Sequence, residues 1–282
     1  MKKSIIVILC ILMVLSFAGC GTTQKPSTTS GTSVEPSSAA TTATPEATSS
    51  GTKLELTVAA ASDLTKAFTE IGAAFEQKNN CKVTFTFGST GTQTEQIANG
   101  APFDLFAAAN IDNIDQLDQK GLIVSATKQL YALGRIGIAT MKDGKITVSS
   151  LDDLLNADVK VLAIANPDHA PYGLAAKQAL EAAGIWDKVE PKIVYGKNIS
   201  DTVSYLTSGN ADAAIIALSL NDTDKFNFTL IDSSLHKPLK QAMAVLKTST
   251  NQELAKSFID YVLSSEGQKI MNKYGFVLPE GK

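Results

Sequence analysis

Three cysteines, two histidines, one tryptophan and a single arginine serve a chain of 282 residues, and each scarcity removes a class of chemistry. Cys10 and Cys20 lie in or at the end of an apolar leader, so Cys81 is the one thiol left for a folded part and no internal disulfide can form. Cys81 reads as a core or loop residue. His169 and His236 stand far apart, with no paired cysteine, no His-x-x-x-His and no Glu-x-x-His, so no zinc or iron ligand set is assembled. Gly-x-Ser-x-Gly and the Walker phosphate loop are absent. Gly88-Ser89-Thr90-Gly91 is too short for the G-x-G-x-x-G dinucleotide fingerprint. These gaps leave neither an enzyme nor a resident cofactor. With Arg135 alone, a bound anion cannot sit in a cluster of guanidinium forks. The formal charge is −3, or −5 once Lys2 and Lys3 are set aside, which makes nucleic acid a poor partner.

What the chain does have begins with a leader. Residues 1–19 read as a signal peptide: Lys2 and Lys3, an apolar run from Ile5 to Phe17, then Ala18-Gly19-Cys20. The run is short for a membrane span. Leu15-Ser16-Phe17-Ala18-Gly19-Cys20 resembles a lipobox, which places lipidation on Cys20. Residues 20–52 then form a disordered tether: about half Ser and Thr, with Pro26, Pro36 and Pro45 and almost nothing large to bury. A multiply acylated Cys20 would hold such a tether at the membrane.

From Lys53 onward, strand and helix patterns alternate. Leu54–Ala60 reads as a strand and Asp63–Gln77 as a helix carrying Leu64, Phe68, Ile71 and Phe75 on one face. Lys82–Phe87 alternates Val83, Phe85 and Phe87 with polar residues, as a strand does. A helix near Thr92–Ala98, a strand at Asp104–Ala108 and a helix at Ile111–Gln119 follow. The second half has extended runs at Leu130–Leu133 and Ile136–Ala139, a short helix at Val148–Leu155, and a strand at Val159–Ile164. A helix begins near Gly173, with a strand at Lys192–Tyr195, a helix at Ser200–Thr207 and strands at Ala213–Leu218 and Ala242–Leu246. Helices at Gln252–Leu263 and Ser265–Lys273 end the pattern. Such alternation implies parallel sheets with right-handed crossovers.

Four strand-to-helix corners share one chemical character. Ser62 follows the small run Ala59-Ala60-Ala61, Ser89 and Thr90 sit between Gly88 and Gly91, Tyr172 lies in Pro171-Tyr172-Gly173, and Ser200 lies in Asn198-Ile199-Ser200-Asp201. Ligands of open α/β sheets bind beyond the carboxyl ends of the strands. Helix N-termini there present unpaired N–H groups and a positive dipole end. Neutral donors of this kind suit a small, fully ionised oxyanion. Taken singly, each hydroxyl is an ordinary N-cap, and Asp63 and Asp152-Asp153 read as capping carboxylates.

Residues 54–278 resemble the molybdate-binding proteins of ABC importers. The resemblance rests on Ala59-Ala60-Ala61-Ser62, Phe87-Gly88-Ser89-Thr90-Gly91, Ala101-Pro102-Phe103-Asp104-Leu105-Phe106-Ala107, Asn166-Pro167-Asp168-His169-Ala170-Pro171-Tyr172-Gly173, Gly209-Asn210-Ala211-Asp212-Ala213 and Tyr274-Gly275-Phe276. It implies an α/β type II periplasmic-binding fold: lobe 1 from 53–134 plus 241–282, lobe 2 from 135–240, a cleft, and two crossing segments. It implies that the Ser62 and Thr90 hydroxyls, with Ser89 beside them, and the Tyr172 and Ser200 backbone N–H groups hold the anion. Molybdenum would be bound only as that oxyanion. Some members add a Tyr hydroxyl where this chain has Leu218, so Ser219 or the Tyr172 hydroxyl would have to replace it. By the same resemblance His169 shapes the loop before Tyr172, Asp104 fixes a neighbouring loop, and Arg135 at the first crossing pairs with a carboxylate.

The resemblance further implies molybdate or tungstate as ligand and an ABC transporter permease as partner. The expected state is a monomer, lipid-anchored on the extracytoplasmic face of the cell membrane. Two alternatives stay open: the same fold binding sulfate, phosphate or another oxyanion, and a membrane-tethered anion sensor. An enzyme of the hydroxymethylbilane synthase kind needs a cofactor-bearing cysteine in the cleft, and Cys81, before a strand away from it, argues against that reading.

Overall fold

The computed structural model describes residues 53–278, which belong to a single compact unit. The leader, Cys20 and the tether lie outside the described residues. In chain order the first elements are β1 (Leu54–Ala61), a 3-10 turn (Ser62–Leu64), α1 (Thr65–Asn79), β2 (Cys81–Gly88), α2 (Thr90–Ala98), β3 (Leu105–Ala108), α3 (Ile111–Gln119) and β4 (Gln129–Gly134). Next come β5 (Ile136–Met141), β6 (Leu162–Ala165), α4 (Pro171–Ala182), α5 (Trp186–Val189), β7 (Ile193–Gly196), α6 (Ile199–Thr207), β8 (Ala213–Ala217) and β9 (Phe226–Leu230). β10 (Leu239–Val245), α7 (Gln252–Leu263) and α8 (Ser265–Lys273) complete the chain.

The strands form two five-stranded sheets, ordered β2-β1-β3-β10-β4 and β7-β6-β8-β5-β9. The chain leaves the first sheet through the lone residue Arg135 between β4 and β5, and returns between β9 and β10. The sheets are mixed, which corrects the expectation of parallel sheets. β1 runs parallel to β2 and β3, and β6 parallel to β7 and β8. β10 is antiparallel to β3 and β4, and β5 is antiparallel to β8 and β9. The strands that follow the crossings cause this: β5 and β10 each enter their sheet at the edge where the parallel strands end, so each runs against them. β9 alternates apolar Phe226, Phe228 and Leu230 with polar Asn227 and Thr229, and is a strand that the sequence expectations omit. The helix expected at Val148–Leu155 shrinks to a 3-10 turn at Asp152–Leu155, where the Asp153 carboxylate accepts from the Ser149 and Ser150 N–H groups at 2.8 and 3.0 Å. The two last helices have the expected bounds.

The core follows from the apolar faces. Phe68 and Phe75 of α1 meet Phe258 of α7 edge-on at 5.7 and 5.2 Å, and Phe85 of β2 and Tyr131 of β4 close the cluster. Burying each such ring contributes on the order of 1.5–3 kcal/mol. Cys81 opens β2 as a buried residue of this core. Among the described residues no helix is long and apolar enough to cross a membrane. In both sheets the parallel pairs end side by side: Ala61 beside Gly88, and Ala165 beside Gly196. Every corner of interest lies just past those ends.

Candidate functional site

Two rims face each other across the seam between the sheets. The first is Ser62, opening the 3-10 turn, with Ser89, the N-cap of α2, and Thr90, its first residue. The second is the start of α4 at Pro171-Tyr172 and of α6 at Ile199-Ser200. They touch directly. The Gly91 N–H donates to the His169 carbonyl at 2.8 Å, and Ser89 Oγ lies 2.9 Å from both that carbonyl and His169 Nδ1. Ser200 Oγ donates to the Ser62 carbonyl at 2.9 Å. Gly91 is required at this approach: a Cβ there would lie 2.7 Å from the His169 carbonyl oxygen. Between the rims is a small cavity of about 10 Å³ lined by Ser62, Asp63, Ser89, Thr90 and Tyr172, with small walls from Ala61, Gly88, Ala109 and Ala170.

The hydrogen-bond bookkeeping of this cavity is informative. Ser62 Oγ accepts the Ser200 N–H at 3.3 Å, and Thr90 Oγ1 accepts the Ala109 N–H at 3.0 Å. Each hydroxyl is thus oriented by one backbone donor and keeps its own proton for a further acceptor. The Tyr172 N–H, in the first turn of α4, has no acceptor among the described residues. Ser89 differs, because its hydroxyl is engaged by His169 and by Thr92 Oγ1 at 3.1 Å. Ser200 does not line the cavity; its neighbour Ile199 does, and the Ser200 N–H reaches the cavity through Ser62 Oγ. The N-termini of α2, α4 and α6 add their positive dipole ends. No lysine or arginine lines the space. The arrangement can bind a compact anion through neutral donors.

Asp63 is the residue that sequence reasoning misjudged. It makes no capping bond. Its fully buried carboxylate instead accepts at Oδ2 from the Tyr172 hydroxyl at 2.9 Å and from Gln241 Nε2 at 2.6 Å, while Gln241 Nε2 also lies 2.9 Å from the Tyr172 oxygen. The Oδ1 atom has no partner. Burial pushes the Asp63 carboxyl up to about 6, against the opposing pull of the Gln241 and Tyr172 hydrogen bonds. Burial, and then the Asp63 charge, raises the Tyr172 hydroxyl well above its ordinary range. Gln241 comes from β10, and no local pattern marks it.

The remaining expectations resolve individually. The Ser219 hydroxyl does not face an open donor position; it donates to the Asp63 carbonyl at 2.8 Å. The Tyr172 hydroxyl is likewise committed to Asp63, so each candidate replacement for a Tyr at Leu218 is tied to the same residue. His169 shapes the loop, as its bonds to Ser89 and Gly91 require. Asp104 fixes a loop through Thr57 at 2.7 and 2.8 Å and Ser249 at 2.7 Å. Arg135 makes no direct ion pair among the described residues and its buried Nε has no partner, but after the Ser234 hydrogen bonds its charge helps hold the Asp232 carboxyl below the ordinary range. It serves the crossing through its carbonyl, which accepts the Leu218 N–H at 2.9 Å.

Two α/β halves that meet at helix N-termini around a small polar cavity define a two-lobed solute-binding fold. Residues 56–277 match the family model of bacterial extracellular solute-binding proteins, and the chain belongs to that family. It is 32% identical to the molybdate-binding protein of Rhodobacter capsulatus, over 79% of this chain and 88% of that one. It is 30% identical to a putative ABC transporter substrate-binding lipoprotein of Bacillus subtilis, over 81% of this chain and 88% of that one. The structure of the periplasmic molybdate-binding protein of Azotobacter vinelandii superposes with a TM-score of 0.75 at 26% identity, covering 80% of this chain and all (100%) of that one.

Proposed function

We propose that this chain is the extracytoplasmic substrate-binding component of an ABC importer and captures molybdate or tungstate between its two lobes. The observation that carries the reading is the cavity itself: neutral donors converge on it from both sheets, and no cationic side chain lines it. The Rhodobacter and Azotobacter relatives, both named for molybdate, support the ligand class. Ser62, Thr90 and Tyr172 supply the donors, Ser89 and Ser200 orient them, and residues 135–240 act as the second lobe. No residue is a metal ligand here, because the contacts go to the oxygens of the anion. Lobe closure around the anion removes its water and creates the shape a permease reads. Lipidation at Cys20 would keep a monomer tethered to the outer face of the membrane, a reading supported by the lipoprotein relative from Bacillus.

Calorimetry of the purified full chain with molybdate, tungstate, sulfate and phosphate tests the assignment. Tight binding of the first two, with sulfate and phosphate far weaker, is the expected result. Preference for sulfate or phosphate would overturn the ligand, and silence with all four would overturn the anion site. One observation favours phosphate as a second reading: Asp63 lines the cavity and its buried Oδ1 has no partner, so its carboxylate could accept from a protonated oxyanion.

A further inference from the structure

Asp63 poses a charge problem that the donor cavity does not solve. It lines the same small space as Ser62, Thr90 and Tyr172 and is fully buried. The groups facing it are neutral on every side: the Tyr172 hydroxyl from α4, Gln241 from β10, the Ser219 hydroxyl after β8, and Tyr131 from β4, whose own hydroxyl donates to the Ala108 carbonyl. Lys66, in the first turn of α1, is turned away onto the carbonyls of Leu220 and Asn221. No cation is among the groups that shift Asp63. A carboxylate and a dianion enclosed together in a small buried space repel strongly, and without a cation they cannot both stay fully ionised. The hydrogen bonds already show where a proton fits. Both donors to Asp63 use Oδ2, which leaves Oδ1 bare. A proton on Oδ1 keeps both existing bonds, removes the repulsion and turns the bare atom into a donor.

Resting on the oxyanion reading above, we infer that capture of a dianion takes up one proton from solvent, carried on Asp63 Oδ1 as a hydrogen-bond donor to the bound anion. When the ligand leaves, the proton leaves with it. Asp63 is thereby a specificity-determining residue: its neutral form favours a fully ionised anion, and its charged form opposes one. With the ligand-free carboxyl near 6 and the bound form higher, affinity is level below that pH and falls as pH rises above it.

The test is calorimetry of the full chain with sodium molybdate between pH 5.5 and 8.5 (about, chosen to bracket the ordinary range of a raised carboxyl), in pairs of buffers with different ionisation heats. Close to one proton taken up per anion near pH 8, and an affinity that falls close to tenfold per pH unit in the upper range, are expected. Asp63→Asn, which keeps a donor without a titrating group, should take up no proton, show level affinity and bind at least about tenfold tighter than the parent near pH 8. No proton uptake by the parent protein, or level parent affinity across the range, overturns the inference. Proton uptake that persists in Asp63→Asn moves the proton off Asp63 and also overturns it. If the variant does not fold, the parent's proton count decides alone. No binding of molybdate at any pH would instead bring down the oxyanion reading, and this inference with it.

Discussion

The two rims of the cavity are built from different material. The first sheet contributes side chains: the hydroxyls of Ser62 and Thr90, each oriented by one backbone N–H. The second contributes backbone, in the first turns of α4 and α6, with Tyr172 and Ser200 placed by where their helices begin. A side-chain donor is lost by a single substitution. A backbone donor survives almost any substitution that leaves the helix start in place. Gly173 illustrates how that start is held: a Cβ there would come within 2.0 Å of the Ala165 carbonyl, so α4 packs against the end of β6 only with glycine. Asp63 breaks the division, since its side chain belongs to the first rim yet is held by Tyr172 of the second and by Gln241 of the returning strand.

The largest expected effect concerns that exception. A carboxyl raised from 3.8 to about 6 in the folded protein stabilises the fold fully only below its unfolded value, and the contribution is lost as pH rises through about 6. The loss amounts to about 3 kcal/mol at pH 8. Asp63→Asn should therefore melt higher than the parent at pH 8, and the gap should close near pH 4, as thermal unfolding of ligand-free protein at both values will read. An equal gap at both would mean that Asp63 is not held at a cost.

Next come the side-chain donors. Ser62→Ala and Thr90→Val should each weaken molybdate binding by roughly ten- to a hundred-fold, the 1.5–3 kcal/mol of a hydrogen bond to a charged partner, with little change in ligand-free melting. Unchanged affinity in both would remove the first rim from the site. The smallest effect belongs to the second rim. Ser200→Ala keeps the backbone N–H and loses only the bond to the Ser62 carbonyl, so affinity should change by less than about tenfold. A loss as large as that of Ser62→Ala would erase the distinction between the rims.

Much of the molecule is legible in local pattern. Strand alternation at Val83, Phe85 and Phe87, the apolar stripe of α1 and the small-residue corner at Ala59–Ser62 depend on neighbours a few residues away, and these readings hold in the structure. The corners holding Ser62, Thr90 and Tyr172 are legible too, because a strand end followed by a helix start has a local signature. The mixed sheets are not, because strand direction depends on connections that leave no trace in periodicity. For Arg135 the place between two sheets is visible in sequence, but that it acts on Asp232 through its charge without a direct ion pair is a fact of packing.

The sequence by itself determined that this is an α/β chain with an apolar run at residues 5–17, a Ser/Thr-rich segment and a group of neutral donors at strand-to-helix corners. Those features are composition, spacing and short-range order. Only the tertiary structure decided that the donors share one cavity, that Ser89 is engaged by His169 while Thr90 keeps its proton free, and that a buried carboxyl stands among them. Asp63, Tyr172 and Gln241 lie far apart in the chain and meet because β10 returns to the first sheet while α4 starts on the second. Burial, which sets the charge of Asp63, is a property of all the surrounding atoms at once and has no counterpart in any stretch of sequence.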